Sequence, residues 1–175
     1  MKKKEVTTLL SWGNSHTLYI EGAATGVTKL QVFLAIKPLL TGKLYWYALR
    51  HSYDCSDNLF HYKVDLKFAF TYKEPEREYL MNLSERRFLE NLPQRITIYR
   101  GMTENELKQK SFGYSWSLKK EVAEFFANTY QRNFATNRFK KVVHEITIDK
   151  NEVIAFFNDR KEFEIIYIKD NGNKS

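Results

Sequence analysis

A chain of 175 residues is long enough for one compact domain with a real core and short for two ordinary ones. Apolar content of 43% and aromatic content of 15%, with 3 prolines and 7 glycines, exclude a disordered, collagenous or low-complexity chain. A net charge of +7 and a pI near 9.3 point to an anionic partner or, because the basic residues are dispersed, to a lysine-rich soluble surface.

The opening "MKKKEVTTLLSWGNSHTLYI" carries a basic cluster but neither an apolar segment long enough for export nor a small-residue cleavage site. No apolar run approaches membrane-spanning length, so a cytoplasmic protein without membrane contact is expected. The single cysteine, Cys55, leaves no internal disulfide, and the scattered histidines form no zinc-ligand spacing, so no metal is expected.

In chain order, "TLYIEG" reads as a short strand and "EGAATG" as a turn. "VTKLQVFLAIKPLL" then spaces Leu30, Phe33 and Leu34 at a helical period that Pro38 interrupts. "KLYWYALRHSY" predicts a helix with Leu44, Tyr47, Ala48 and His51 on one face, and "SDN" from Ser56 predicts a turn or a new cap. "SERRFLENL" predicts a helix capped by Ser84, with Phe88 and Leu92 on one face and Pro93 as its stop. After Pro93 the pattern changes. "RITIYRG" alternates Ile96, Ile98 and Arg100 against Thr97 and Tyr99 as a strand, and "SFGYSWS" is a strand or turn. "LKKEVAEFFANTY" is a helix, and "KKVVHEITI", "EVIAFF" and "EFEIIYI" are strands. A helical part over 1–93 followed by a strand-rich part over 94–170 predicts an α+β architecture within a single domain.

Four short signals carry candidate chemistry. Arg100 ends an apolar strand, where its fork of donors suits a phosphate, and Gly101 after it would let a ligand approach the backbone. Taken alone, it reads first as an arginine at a strand end turning to water. Ser115 and Ser117 flank Trp116 and share one face of an extended backbone, although serine pairs also serve as turn elements. Phe125 and Phe126, then Tyr130, Arg132, Phe134 and Arg138, set aromatics beside arginines as a flat, phosphorylated ligand requires; such a helix also packs an ordinary core. Glu162 and Glu164 lie on one face if "EFE" is extended, which crowds two negative charges and raises the pKa of at least one. The alternative is a solvated edge strand.

The order of these signals is more informative than any one of them. "IYRG", then "SWSLKKEVAEFFA", then "EFEIIY" resemble the three motif blocks of the mono-ADP-ribosyltransferases of the Arg-Ser-Glu class, a group that includes binary toxins and many bacterial and phage transferases. The resemblance covers roughly residues 95 to 168. It implies a core of two small, mainly antiparallel sheets around a cleft for NAD, which is the substrate. It also implies that Tyr99, Arg100 and Gly101 hold NAD, with Arg100 at the phosphates and the Gly101 backbone at the nicotinamide carboxamide. Ser115 would orient Glu164, the catalytic glutamate, with Ser117 completing the serine motif and Trp116 replacing its usual middle threonine. Glu162 would meet the acceptor. Phe126 is assigned to stack on nicotinamide, and Arg132 or Arg138 to reach the pyrophosphate.

Within this resemblance a Glu-x-Glu pair accompanies protein arginine as acceptor. The basic, aromatic-rich chain favours RNA or another single-stranded nucleic acid, and the expectation leans slightly that way. An enzyme that consumes NAD inside its own cell implies a toxin or phage-defence effector with a neutralising antitoxin protein. Two rivals from other classes are a non-catalytic nucleic-acid-binding module and a metal-dependent nuclease using Asp65 and Lys67 of "VDLK".

Overall fold

The computed structural model describes residues 29–56, 59–128 and 140–169. "TLYIEG" and "EGAATG" lie outside them, as do Tyr130, Arg132, Phe134 and Arg138. The chain divides into two compact units, Met1–Asn82 and Leu83–Ser175.

The described residues of the first unit are helical: α1 (Lys29–Ile36), α2 (Lys43–Asp54) and α3 (Lys63–Phe70), joined by short 3-10 turns. Pro38 stands in the first turn of the 3-10 segment Lys37–Leu39 that ends α1, where a missing N–H costs least. The buried side of α2 is Tyr45, Trp46, Ala48, Leu49, Ser52 and Tyr53, so of the expected face only Ala48 is buried. Aromatic chemistry explains the rotation. The Tyr45 hydroxyl donates to the Ala69 carbonyl (3.0 Å) and Trp46 Nε1 to that of Pro75 (2.8 Å), so both rings are buried with their polar ends satisfied. Asp65 is exposed on α3, and residues two apart on a helix project to different sides, so Asp65 and Lys67 do not converge on a metal. No group of three or more histidine, cysteine or acidic residues fit to hold a metal occurs among the described residues.

The second unit is α4 (Leu83–Glu90), β1 (Arg95–Thr103), α5 (Glu104–Gln109), β2 (Ser115–Ser117), α6 (Lys120–Asn128), β3 (Lys141–Asp149), β4 (Val153–Phe157) and β5 (Glu164–Tyr167). The molecule is α+β, as expected. The strands among the described residues form one five-stranded antiparallel sheet in the order β3-β1-β2-β5-β4, where two small sheets were expected. The sheet has one weak joint. β1 pairs with β3 along its whole length, but it meets β2 at a single position, Tyr99 opposite Ser117.

Alternation along the strands divides the sheet into two faces. Ile96, Ile98, Met102, Trp116, Ile148, Phe156 and Ile165 are buried on one. There α4 packs, with Phe88 stacked on Phe156 at 4.4 Å between centroids. Buried Glu85 of α4 accepts the Asn158 N–H at 2.8 Å, so this helix belongs with the strands, and Ser84 lies inside it rather than at its cap. The other face carries Tyr99, Gly101, Ser115, Ser117 and Glu164, and α6 lies against it. No helix among the described residues is long and apolar enough to cross a membrane.

Candidate active site

The second face holds the acid. Tyr167 N–H donates to the Tyr114 carbonyl and Leu118 N–H to that of Phe163, so between these bonds the pairs Ser115/Ile166 and Ser117/Glu164 are the non-hydrogen-bonded ones. In such pairs the Cα atoms stand only about 4.5 Å apart and the side chains are closest. Ser117 is therefore set directly across from Glu164, with Ser115 its diagonal neighbour on the same face. The resemblance assigns the orienting role to Ser115, whereas the residue directly opposite Glu164 is Ser117. Ser117 Oγ donates to the Glu162 carbonyl (2.7 Å) and accepts from Lys119 N–H (2.9 Å), pinning the turn before β5. The Ser115 hydroxyl has no hydrogen bond among the described residues and faces the same side as the acid.

Glu164 is 4% exposed, whereas Glu162 lies in the turn ahead of β5 and not in the strand. That turn contains two non-glycine residues in the left-handed region, Lys161 (φ 58) and Phe163 (φ 49). Each costs roughly 1–2 kcal/mol and persists only where the surroundings fix it. Here Phe163 N–H donates to Asn158 Oδ1 (3.2 Å), and its ring packs on Phe88 and Phe156 with Lys119 Nζ 3.8 Å from its centre. The turn thus brings back the proximity that an extended "EFE" would have supplied. Arg160 Nη2 lies 3.1 Å from Glu162 Oε2 and 3.4 Å from Glu164 Oε2, so one guanidinium bridges both acids. Burial raises the Glu162 pKa; Arg160 opposes the rise and the Glu164 charge adds to it.

No protein family, curated protein or solved structure matches this chain.

Arg100 is the main departure from expectation. Alternation places it on the face opposite Glu164, across from His144, whose pKa is lowered by burial and by Lys169. Its Nε donates to Glu106 Oε1 (3.0 Å) and its Nη1 to the Ser115 carbonyl (2.7 Å). The reason is the weak joint. The Ser115 carbonyl points toward β1 where strand pairing has already stopped, and the guanidinium satisfies it. Glu106 also accepts the Gly113 N–H (3.0 Å), so Arg100 ties β1, α5 and the loop before β2 together. Arg100→Lys should cost about 1.5–3 kcal/mol, because an ammonium cannot reproduce the two directed bonds. Chemical denaturation checks this, and an unchanged midpoint would refute the bracing role.

Gly101 also differs from expectation: a Cβ there would lie 2.3 Å from the Ala123 carbonyl oxygen and 2.7 Å from the Ala127 nitrogen. The close approach it permits is that of α6 rather than of a ligand. Phe126 sits half-buried on α6, edge-on to Phe125 at 5.6 Å, on the helix bordering the Glu164 face. Tyr99 shares that face.

Two participants escaped the sequence reading. Glu106 had a legible signal, because Thr103 to Glu106 spells a capping pattern and Thr103 Oγ1 does accept the Glu106 N–H (3.1 Å). Arg160 had only its position four residues before Glu164, which carries no meaning until the turn is known.

Proposed function

We propose that this protein is an NAD-dependent mono-ADP-ribosyltransferase whose catalytic glutamate is Glu164. The observation that carries the reading is a buried Glu164 set across from Ser117, with Glu162 drawn beside it on a shared guanidinium. The motif order that resembles the Arg-Ser-Glu transferases supports it. The finer architecture implied, an NAD cleft between two small sheets, is part of the proposal, and the single-position joint between β1 and β2 is where such a division would fall.

The chemistry needs few groups. Breaking the bond from nicotinamide to ribose C1′ develops positive charge on the ribose, as in glycoside hydrolysis, and nicotinamide leaves neutral without a proton. A fixed carboxylate out of water stabilises that charge more than the same group in water would. Glu164 fills this role, holding a ribose hydroxyl, and Ser115 offers a hydroxyl on the same face. Tyr99 and Phe126 border the space assigned to NAD. Arg100 acts here through β2, as a positioning residue, rather than as a phosphate ligand. Glu162 takes the acceptor's proton. Its raised pKa sets the pH dependence: the base is lost as pH falls through a midpoint above that of an ordinary glutamate. Glu162→Gln should remove this acidic limb from the kcat profile, and a limb retained in that variant would assign the base elsewhere. Folding shows the opposite sign. A carboxyl raised in the folded state weakens stability once ionised, so Glu162→Gln should be slightly more stable at neutral pH and lose that advantage in acid.

The sequence places nucleic acid first as acceptor, whereas the ion pairs of Arg160 favour a guanidinium, since Glu162 and Glu164 already hold one. The nucleic-acid reading keeps its own support in the first unit. Phe60, Val64, Phe68 and Tyr72 follow one another at helical steps, each more than half exposed, beside Lys63, Lys67 and Lys73. The test uses NAD labelled in its adenylate part and a cell extract, followed by separate protease and nuclease digestion. Label released by protease identifies protein, and label released by nuclease identifies nucleic acid. Activity should survive excess chelator, which would abolish a metal nuclease. No transfer and no nicotinamide release would overturn the enzyme reading. A toxin guarded by an antitoxin protein would in addition arrest its own host when expressed alone, and Glu164→Gln would relieve the arrest.

A further inference from the structure

We propose that Arg160 is a self-modification site: in the presence of NAD its guanidinium accepts ADP-ribose from the Glu162–Glu164 centre of the same chain. The inference rests on the transferase reading above and extends it to a specific acceptor within the protein.

The geometry is that of an acceptor already in place. A single nitrogen, Nη2, approaches Glu162 Oε2 at 3.1 Å and Glu164 Oε2 at 3.4 Å, so the atom that would react touches both the acid assigned to the ribose and the acid assigned to the proton. The Arg160 side chain is 52% exposed, which leaves room for a second molecule against the guanidinium. Its position is fixed from both sides. Asn158 closes the turn onto Lys161 N–H and Phe163 N–H, and Ser117 holds the Glu162 carbonyl, so the arginine is directed back over β5.

The step balances. The Nη2 electron pair forms the new bond to ribose C1′ while the C1′ bond to the nicotinamide nitrogen breaks, and that bond's electrons leave with neutral nicotinamide. The Nη2 proton passes to the Glu162 carboxylate, and the substituted guanidinium keeps its positive charge. The product remains tethered beside both acids, so each modified chain has its acceptor position filled and transfer to other acceptors declines. The reaction limits itself.

The 175-residue protein is incubated with NAD and no added acceptor, and peptides are mapped by mass spectrometry while nicotinamide is measured in parallel. The expected result is one ADP-ribose per chain on Arg160. Its formation rate per molecule should be unchanged on dilution, and it should drop about a hundredfold or more in Glu164→Gln. The Arg160→Lys variant, which keeps the positive charge, should carry no mark at this position. Its thermal melting curve establishes that it is folded. Nicotinamide release by the wild-type protein with the mark elsewhere or absent overturns the self-modification and leaves the transferase standing. A rate that falls with dilution overturns modification within the chain. Absence of nicotinamide release, with or without cell extract, overturns both readings together.

Discussion

Replacing Glu164 with glutamine is expected to lower nicotinamide release from NAD by about 10²–10³-fold while leaving the fold intact. Glutamine keeps the shape and one acceptor oxygen but removes the charge that stabilises a cationic ribose. The KM for NAD should change little, because a charge that matters most in the transition state affects kcat more than ground-state binding. Stability should change little, because the substitution is isosteric at a buried position. Steady-state kinetics with a parallel thermal melt separates the outcomes. Full nicotinamide release in Glu164→Gln would assign the catalytic acid elsewhere, whereas a collapsed melt would assign Glu164 to structure.

A large effect on stability is expected at Gly101 as well. Its φ is not in the left-handed region, so alanine would be tolerated by the backbone itself. The obstacle is the Ala123 carbonyl oxygen, 2.3 Å from where a Cβ would stand, together with the Ala127 nitrogen at 2.7 Å. Both are backbone atoms of α6, so the whole helix must retreat from the sheet. Gly101→Ala should cost about 1–3 kcal/mol, the usual range for overpacking. Each kcal/mol corresponds to roughly 4–8 °C in Tm for a unit of this size. Gly113→Ala provides a comparison. The neighbour there is the Arg100 guanidinium, 2.3 Å away at Nη2, so that change should disturb the bonds of Arg100 to Glu106 and the Ser115 carbonyl and leave the seat of α6 on β1 untouched. Equal melting temperatures for Gly101→Ala and the parent protein would show that α6 is not seated closely on β1.

Local patterns in the sequence corresponded to local structure. The switch from helical to alternating periodicity at Pro93 marks the start of β1 at Arg95, and the strands at 141–149 and 153–157 follow from β-branched and aromatic runs. The face of α2 was misplaced because spacing treats aromatic rings as equivalents of leucine. Tyr45 and Trp46 were buried through bonds to carbonyls far away in sequence, which no periodicity records. In the same way "EFE" read as continuous strand, whereas Phe163 takes a left-handed conformation stabilised by Asn158 and by rings from α4 and β4.

By itself, the sequence determined the α+β class, the order of the Arg, Ser-x-Ser and Glu-x-Glu segments, and the placement of Glu162 and Glu164 at the mouth of an apolar run. Each depends on neighbours within a few residues, where alternation and capping act. Only the tertiary structure decided which residues meet. Strand register put Ser117 rather than Ser115 across from Glu164, and the one-position joint between β1 and β2 turned Arg100 toward an orphan carbonyl. A left-handed turn placed Arg160 on both acids. Register, joint and turn are set by hydrogen bonds and packing between segments distant in the chain, and for that reason they are invisible in the order of residues alone.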